Sequence, residues 1–325
     1  MKPKSFFVLM FHGIVKESPA YFTYRPNENC FVRETDFDKI ISDCKKRYKI
    51  LRLNDLGSYF DGSATQDGVL ISFDDGLQSL YNLGLPILKK HNANATVFIT
   101  SDWTNKGIAP AIFSLEYQLF YHTPAIVKIS CNGFLFNEKI THSKEAGILI
   151  SALWDKLFLE KTSPLSLGYE HIILNGKTLN SFVKETDPDY WKPMSWQLLL
   201  EANRDGLIEI GAHGKTHTPF DWLSAQQLEQ ECIESKQQVL QHLGIDVTTC
   251  SFPHGSYNER LLEIIGSHFN YAFTNKVVEE DRLGIQLAIS RFNVPYQRPN
   301  SIPSLIRYPF IGKILRKIGY ITKLY

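Results

Sequence analysis

The sequence predicts an α/β protein, a single barrel-like domain carrying one large insertion, and three observations predict it. Short apolar runs rich in branched and aromatic residues alternate with amphipathic stretches that carry capping residues. That rhythm lapses between about Trp103 and Lys192 and then resumes. Two polar segments, Ser72-Phe73-Asp74-Asp75-Gly76 and His213-Gly214-Lys215-Thr216-His217, each follow an apolar run. The carboxyl end of a parallel strand is where α/β proteins bind ligands.

Phe6 to Phe11 is the first strand. The basic start Met1-Lys2-Pro3-Lys4 resembles a signal peptide, but the apolar run is short, His12 interrupts it and no small-residue cleavage site follows. Thr35-Asp36-Phe37-Asp38 opens a helix with Phe37, Ile40, Ile41 and Cys44 on one face. Tyr48 to Leu53 is extended, Val69 to Phe73 is a buried strand, Leu77 to about His91 is helical, and Ala95 to Thr100 is another strand. Within the insertion, 103–192, a short alternating segment spans Ile126 to Phe136 and a helix runs from about Ser143 to Leu159. Its aromatic residues, among them Phe113, Tyr117, Phe120, Tyr121, Trp154 and Phe158, are assigned to the insertion's own core in preference to a substrate groove. Ser195 caps the next helix and Gly206 stops it. Ile208 to Gly211 then delivers His213, and Ser224-Ala225-Gln226-Gln227 is a capping box for a helix closed by Gly244. Strands over Val247 to Phe252, Tyr271 to Thr274 and Leu287 to Val294 complete the pattern, all within one domain, 1–325.

Composition narrows the function. The 325 residues carry a formal net charge of +1 with no large basic cluster, so nucleic acid is not an expected partner. Five widely spaced cysteines without a Cys-x-x-Cys pair suit reduced, buried thiols in a reducing compartment. No stretch approaches the roughly 18 apolar residues of a membrane-spanning helix, and a cytoplasmic protein is expected. The tail, about 303–325, is basic and has Ile311, Leu315, Ile318 and Ile321 at near-helical spacing. It either packs on the barrel or rests on an anionic membrane surface at the inner face.

Carboxylate and neutral imidazole are ligands for zinc and similar ions, and catalytic sites use three of them while leaving room for water. Asp75, His213 and His217 supply such a set. Adjacent residues at a strand end point in different directions, so of Asp74 and Asp75 one binds metal while the other takes a proton. Either motif alone is weak, since Asp-Asp-Gly is usually a solvated turn and paired histidines recur by chance. Their combination at two strand ends is not.

The chain resembles the polysaccharide deacetylases of the NodB-homology type, carbohydrate esterase family 4. Ser72 to Gly76 is similar to the family's Thr/Ser-Phe-Asp-Asp-Gly motif, His213 to His217 to its His-x-x-x-His, and Phe252-Pro253-His254-Gly255 to its aromatic Pro-x-Gly motif. The resemblance spans about Val69 to Asn258 apart from the insertion, and implies a distorted (β/α) barrel. It also implies that Asp74 is the catalytic base and that Asp75, His213 and His217 hold one divalent ion, zinc first, with cobalt, nickel, manganese or iron as alternatives. The His254 backbone N–H would then help hold the oxyanion, and Pro253, His254 and Tyr257 would wall the groove. Two departures stand out. The family's late Leu-x-x-His is missing, so the general acid is assigned to His12 in Phe11-His12-Gly13-Ile14, similar to a Tyr-His-x-Val/Ile motif in one branch of the family. Ser251 stands where many relatives carry an arginine that steadies the base, and Arg291 is the expected replacement.

The expected activity is therefore metal-dependent removal of an N-acyl group, acetyl first, from an amino sugar of a bacterial polysaccharide or its precursor. Deformylation or O-ester cleavage would use the same machinery. A non-haem iron oxygenase and an inactive saccharide-binding protein are the readings from other classes.

Overall fold

The computed structural model describes residues 4–17, 31–131, 133–182, 191–276 and 285–294. The chain opens with β1 (Phe6–Phe11), β2 (Gly13–Val15), β3 (Phe31–Arg33), helix α1 (Glu34–Lys45), β4 (Lys49–Ile50) and the short α2 (Leu56–Phe60). Next come β5 (Gly68–Phe73), α3 (Leu85–His91), β6 (Ala95–Ile99), α4 (Ser101–Lys106) and α5 (Ala111–Tyr121). A second lobe holds β7 (Ala125–Cys131), β8 (Phe134–Ile140), α6 (Ser143–Leu159), β9 (Ile172–Leu174) and β10 (Lys177–Thr178). The chain then returns through α7 (Trp196–Arg204), β11 (Ile208–Ala212), α8 (Ala225–Leu243), β12 (Thr249–Ser251), α9 (Leu262–His268), β13 (Tyr271–Thr274), β14 (Ile289–Ser290) and β15 (Phe292–Asn293).

Eight parallel strands follow one another in the order β14-β13-β12-β11-β6-β5-β1-β15, with β4 beside β5. The two edge strands are consecutive in the chain. Only Arg291 separates β14, paired with β13, from β15, paired with β1, so one residue spans the gap of a nearly closed, distorted (β/α) barrel. The expected single strand over Leu287 to Val294 is thus two short strands on opposite edges.

Strand periodicity divides the core. Val8, Leu70, Phe98, Phe273 and Ile289 fill the barrel interior, while their neighbours Leu9, Val69, Ile71, Val97 and Ala272 pack outward against the helices. Phe37, Ile40, Ile41 and Cys44 of α1 join the outer layer as expected. Thr35 is not that helix's cap, because the helix begins one residue earlier with Arg33 at its N-cap, and Arg33 Nε donates to Asp36. Tyr48 to Leu53 is extended only at Lys49–Ile50 before a tight turn over Leu53–Asp55. Ser195 and Ser224 cap their helices by accepting from Leu198 N and Gln227 N, and Gly244 closes α8 at φ 70°.

The second lobe pairs its strands in the order β10-β9-β7-β8 and, with α5 and α6, has its own core of Leu115, Leu119, Val127, Ile129, Leu153 and Leu157. Lys192 to Met194 then brace the Asp-Asp-Gly turn, as Met194 N donates to Gly76 O at 2.8 Å and Gln78 N to Lys192 O at 2.7 Å. Cys44, Cys131, Cys232 and Cys250 are buried free thiols, and burial pushes Cys44 and Cys232 up to about 12. Cys30 and the basic tail lie outside the described residues. Among those residues no helix is long and apolar enough to cross a membrane.

Candidate metal and catalytic centre

Register decides where the first acid points. Asp74 continues the inward parity of Leu70 and Ser72 on β5, so its carboxylate caps the barrel interior. Arg291 reaches it there from the barrel gap, donating from Nη1 and Nη2 to the two carboxylate oxygens at 2.7 Å each, with its guanidinium over the Phe98 ring. Ser251 joins them. Its hydroxyl donates to Asp74 Oδ2 at 3.2 Å and accepts from Arg291 Nη2 at 2.8 Å. Burial opposes the charge on Asp74, but Arg291, then His213 and His12, outweigh it and hold the carboxyl below its ordinary range.

The second acid turns elsewhere because the backbone leaves the strand. Asp75 takes φ 71° and Gly76 φ 69°; a Cβ on Gly76 would lie 2.8 Å from Ile99 Cγ2, so only glycine fits the turn. Asp75 Oδ1 then faces His217 Nε2 at 3.2 Å and His213 Nε2 at 3.6 Å. The ligand atoms of these three buried residues lie within 4.8 Å of one another. Asp75, His217 and His254 are three of the six non-glycine residues with positive φ among the described residues. Such conformations cost about 1–3 kcal/mol each and gather where function holds them.

The donor set fits a metal ion. His213 Nδ1 lies 2.9 Å from the Ser251 carbonyl, which only accepts, so the proton is on Nδ1 and the Nε2 lone pair faces Asp75. Burial pulls His213 down to about 4, so the ring is neutral near pH 7 and its approach to Asp75 is one of two electron-pair donors. Burial also opposes the charge on Asp75, yet His217, His12 and His213 keep its carboxyl well below the usual range. Asp75 Oδ1 is buried with no hydrogen-bond donor in good geometry. Bonds of about 2.0–2.1 Å to a tetrahedral ion put ligands about 3.3 Å apart, close to the 3.2 and 3.6 Å that separate the two imidazoles from Asp75.

His12 ends β1 on the same face, near enough to act on the charges of both Asp74 and Asp75, and its Nδ1 is buried without a partner. Pro253 is buried in the tight turn Pro253–Gly255. His254, at φ 56°, sets its ring 4.8 Å from that of His217, and burial, then His217 and His213, keep it well below its ordinary pKa. Tyr257 stacks on Phe252 at 5.0 Å.

Four contributors escape a reading of motifs. Trp103 stacks on His217 at 4.8 Å and 13°. Glu231, in the apolar stripe of α8 beside Leu228, Cys232 and Ser235, accepts with Oε1 from Lys215 N, Thr216 N and Thr216 Oγ1 at 2.6–2.9 Å. A buried acid within such a stripe is the one sequence signal for it. Trp154 and Phe158 of α6 meet His254 at 6.3 and 5.0 Å; Trp154 packs against the second lobe's core as expected, whereas Phe158, expected there too, lies outside it. Phe113 is buried within the lobe, and Tyr117 and Phe120 pack against its core.

The sequence profile described as polysaccharide deacetylase matches residues 61–152 and 170–271, more than half of the chain. The chain belongs to the polysaccharide deacetylase family. Solved structures of similar fold include the Streptococcus pyogenes deacetylase PplD in complex with acetate, at TM-score 0.59 and 17% identity over 93% of this chain and 98% of that one. IcaB from Ammonifex degensii superposes at 0.56 with 12% identity over 94% and 100% of the two chains. A de-N-acetylase from Aggregatibacter actinomycetemcomitans gives 0.51 with 15% identity over 89% and 94%. No curated protein gives a significant sequence match. At these identities the structural likeness establishes the fold, and family membership makes the chain a deacetylase.

Proposed function

We propose that this deacetylase is a metal-dependent hydrolase that removes an acetyl group from the nitrogen of an amino sugar in a bacterial glycan or its precursor. The observation that carries the reading is a division of labour between neighbours: Asp75 shares a triangle of lone pairs with His213 and His217, while Asp74, 3.9 Å from His213 Nε2, is engaged by Arg291 and Ser251. A divalent ion held by Asp75, His213 and His217 supplies Lewis acidity and brings bound water into reach of deprotonation near neutral pH.

The protein's own groups do the rest. Asp74, kept ionised and oriented, has Oδ2 engaged by both Arg291 and Ser251 but a second lone pair left on Oδ1, and accepts the proton of the attacking water. The backbone N–H of His254 meets the oxygen of the tetrahedral intermediate. His12 donates a proton to the leaving amine, so that water and amide become amine and acetate. A saccharide-binding protein would not need Asp74 as a base, and an oxygenase would leave both Asp74 and His12 without a task.

Peripheral contact of the basic tail with an anionic membrane belongs to the same proposal, since it would bring the site to lipid-linked saccharide. Co-sedimentation with anionic liposomes of the full chain, against a chain ending at Pro309, tests it, and equal binding removes it. The activity itself is tested by measuring acetate and formate release from N-acylated amino sugars before chelation, after chelation and after return of each divalent ion. Acetate release that chelation abolishes and zinc restores is the expected result, and release indifferent to chelation would refute the reading.

A further inference from the structure

We infer that Ser251 keeps Asp74 a base by occupying the oxygen through which that acid would otherwise join the metal ligands. Ser251 is thus a positioning residue that acts through Asp74. The inference rests on the metal-dependent hydrolase reading above and adds to it the reason why only one of two neighbouring acids is a ligand.

Distance alone does not separate the two acids. Asp75 Oδ1 lies 3.6 Å from His213 Nε2, and Asp74 Oδ2 lies 3.9 Å from the same atom. Both carboxylates are buried, so their lone pairs decide the difference. Asp75 Oδ1 has no hydrogen-bond donor in good geometry and is open to a cation. A carboxylate has about four lone-pair sites, two on each oxygen. On Asp74 Oδ2 both are taken, by Arg291 Nη2 at 2.7 Å and by the Ser251 hydroxyl at 3.2 Å. Oδ1 accepts only from Arg291 Nη1, at 2.7 Å, and keeps a site for a proton.

Strand β12 puts Ser251 where it can do this. It pairs with Phe273 of β13, whose ring fills the barrel interior, so the serine side chain points inward too and is fully buried. Its carbonyl accepts from His213 Nδ1 at 2.9 Å, and its hydroxyl oxygen accepts from Arg291 Nη2 at 2.8 Å. With a lone pair facing the guanidinium, the hydroxyl turns its own proton toward Asp74. One residue therefore touches a metal ligand with its main chain and the base with its side chain. Arg291 alone would leave a site on Oδ2 open, 3.9 Å from a ligand nitrogen. Zinc takes carboxylate oxygen as well as imidazole nitrogen, so an open site there would make Asp74 a fourth ligand.

Zinc affinity by chelator competition, read beside acetate release, tests the inference in the full chain. Ser251→Ala is expected to bind zinc about tenfold more tightly, the lower end of what groups around a ligand set are worth. At saturating zinc it should turn over about 10²-fold more slowly, because Asp74 is drawn from its task as base. A packing defect would move affinity the other way. A crystal structure of the zinc-loaded variant should place Asp74 Oδ2 about 2.0–2.2 Å from the ion. In the Asp74→Asn background, Ser251→Ala should leave zinc affinity where Asp74→Asn alone puts it. Ser251→Thr and Ser251→Val share a shape and differ in the hydroxyl, so the valine variant should bind zinc more tightly than the threonine variant even where the added methyl perturbs the fold. Zinc affinity unchanged or weakened in Ser251→Ala, and no gain of valine over threonine, would overturn the inference, as would full turnover in Ser251→Ala. Tighter zinc in these variants beside a wild type that releases no acetate would keep the inference and refute the hydrolase reading alone.

Discussion

A buried carboxylate needs a reason to stay charged, and Asp74 has two: a bidentate guanidinium and a serine hydroxyl. Its proposed work as base requires the ionised form. Removing Arg291 raises the Asp74 pKa, so in Arg291→Gln the acid limb of kcat moves to higher pH at saturating metal, which a pH–rate profile checks. The same logic fixes the sign for stability. Asp74 has a depressed folded pKa, so its contribution is complete above the unfolded carboxylate value and is lost as pH falls through the folded one. Arg291→Met, which strands the charge, should cost about 3–5 kcal/mol in denaturant unfolding at pH 7, shrinking as Asp74 is protonated. His12 offers a separate test. His12→Ala should slow amide hydrolysis while sparing activated esters, whose leaving groups need little protonation; equal loss on both would remove it as the acid.

At the scale of elements, the site depends on loops held from behind. Glu231 on α8 gathers three donors from the loop between the two histidines, and a Cβ on Gly214 would meet its Oε1 at 3.0 Å, so helix and loop fit only one way. Glu231→Leu should weaken zinc binding about 10–100-fold in chelator competition, the usual effect of losing a group that orients ligands. Glu231→Gln, which keeps an acceptor, should recover part of it. Gly255→Ala belongs here too. Its Cβ would sit 1.5 Å from Asn275 Oδ1 on a backbone at φ 64°, so the turn carrying His254 must deform and the melting temperature should drop. These dependencies mark where sequence stops being informative. Asp74, Asp75, His213 and His217 were legible because each sits within a few residues of an apolar run, so local pattern alone carries it to the barrel mouth. Glu231 and Trp103 work through partners 16 and 114 positions away in the chain, where no local period points.

For the whole molecule, the alternation of strands and helices was enough to anticipate a barrel, because each buried parallel strand advertises itself by composition. Its closure was not. Periodicity reports that Ile289 to Asn293 is extended but not which neighbour each half pairs with, and the chain changes edges at Arg291. Arg291 could still be singled out as the partner of Asp74, 217 positions away, because the resemblance calls for an arginine beside the base and Ser251 stands in its usual place. In the fold, that cation also spans the gap between the barrel's two edge strands. The barrel thereby brings Asp75, His213 and His217 from two strand ends to a single point and keeps a second acid beside them. That arrangement is tested most directly by zinc content per chain alongside acetate release in wild type, Asp74→Asn and His213→Ala. One equivalent is expected in wild type and in Asp74→Asn, with turnover reduced about 10²–10⁴-fold in the latter, and His213→Ala should lose both metal and activity. Metal retained at full occupancy by His213→Ala, or lost from Asp74→Asn, would contradict the assignment of ligand and base.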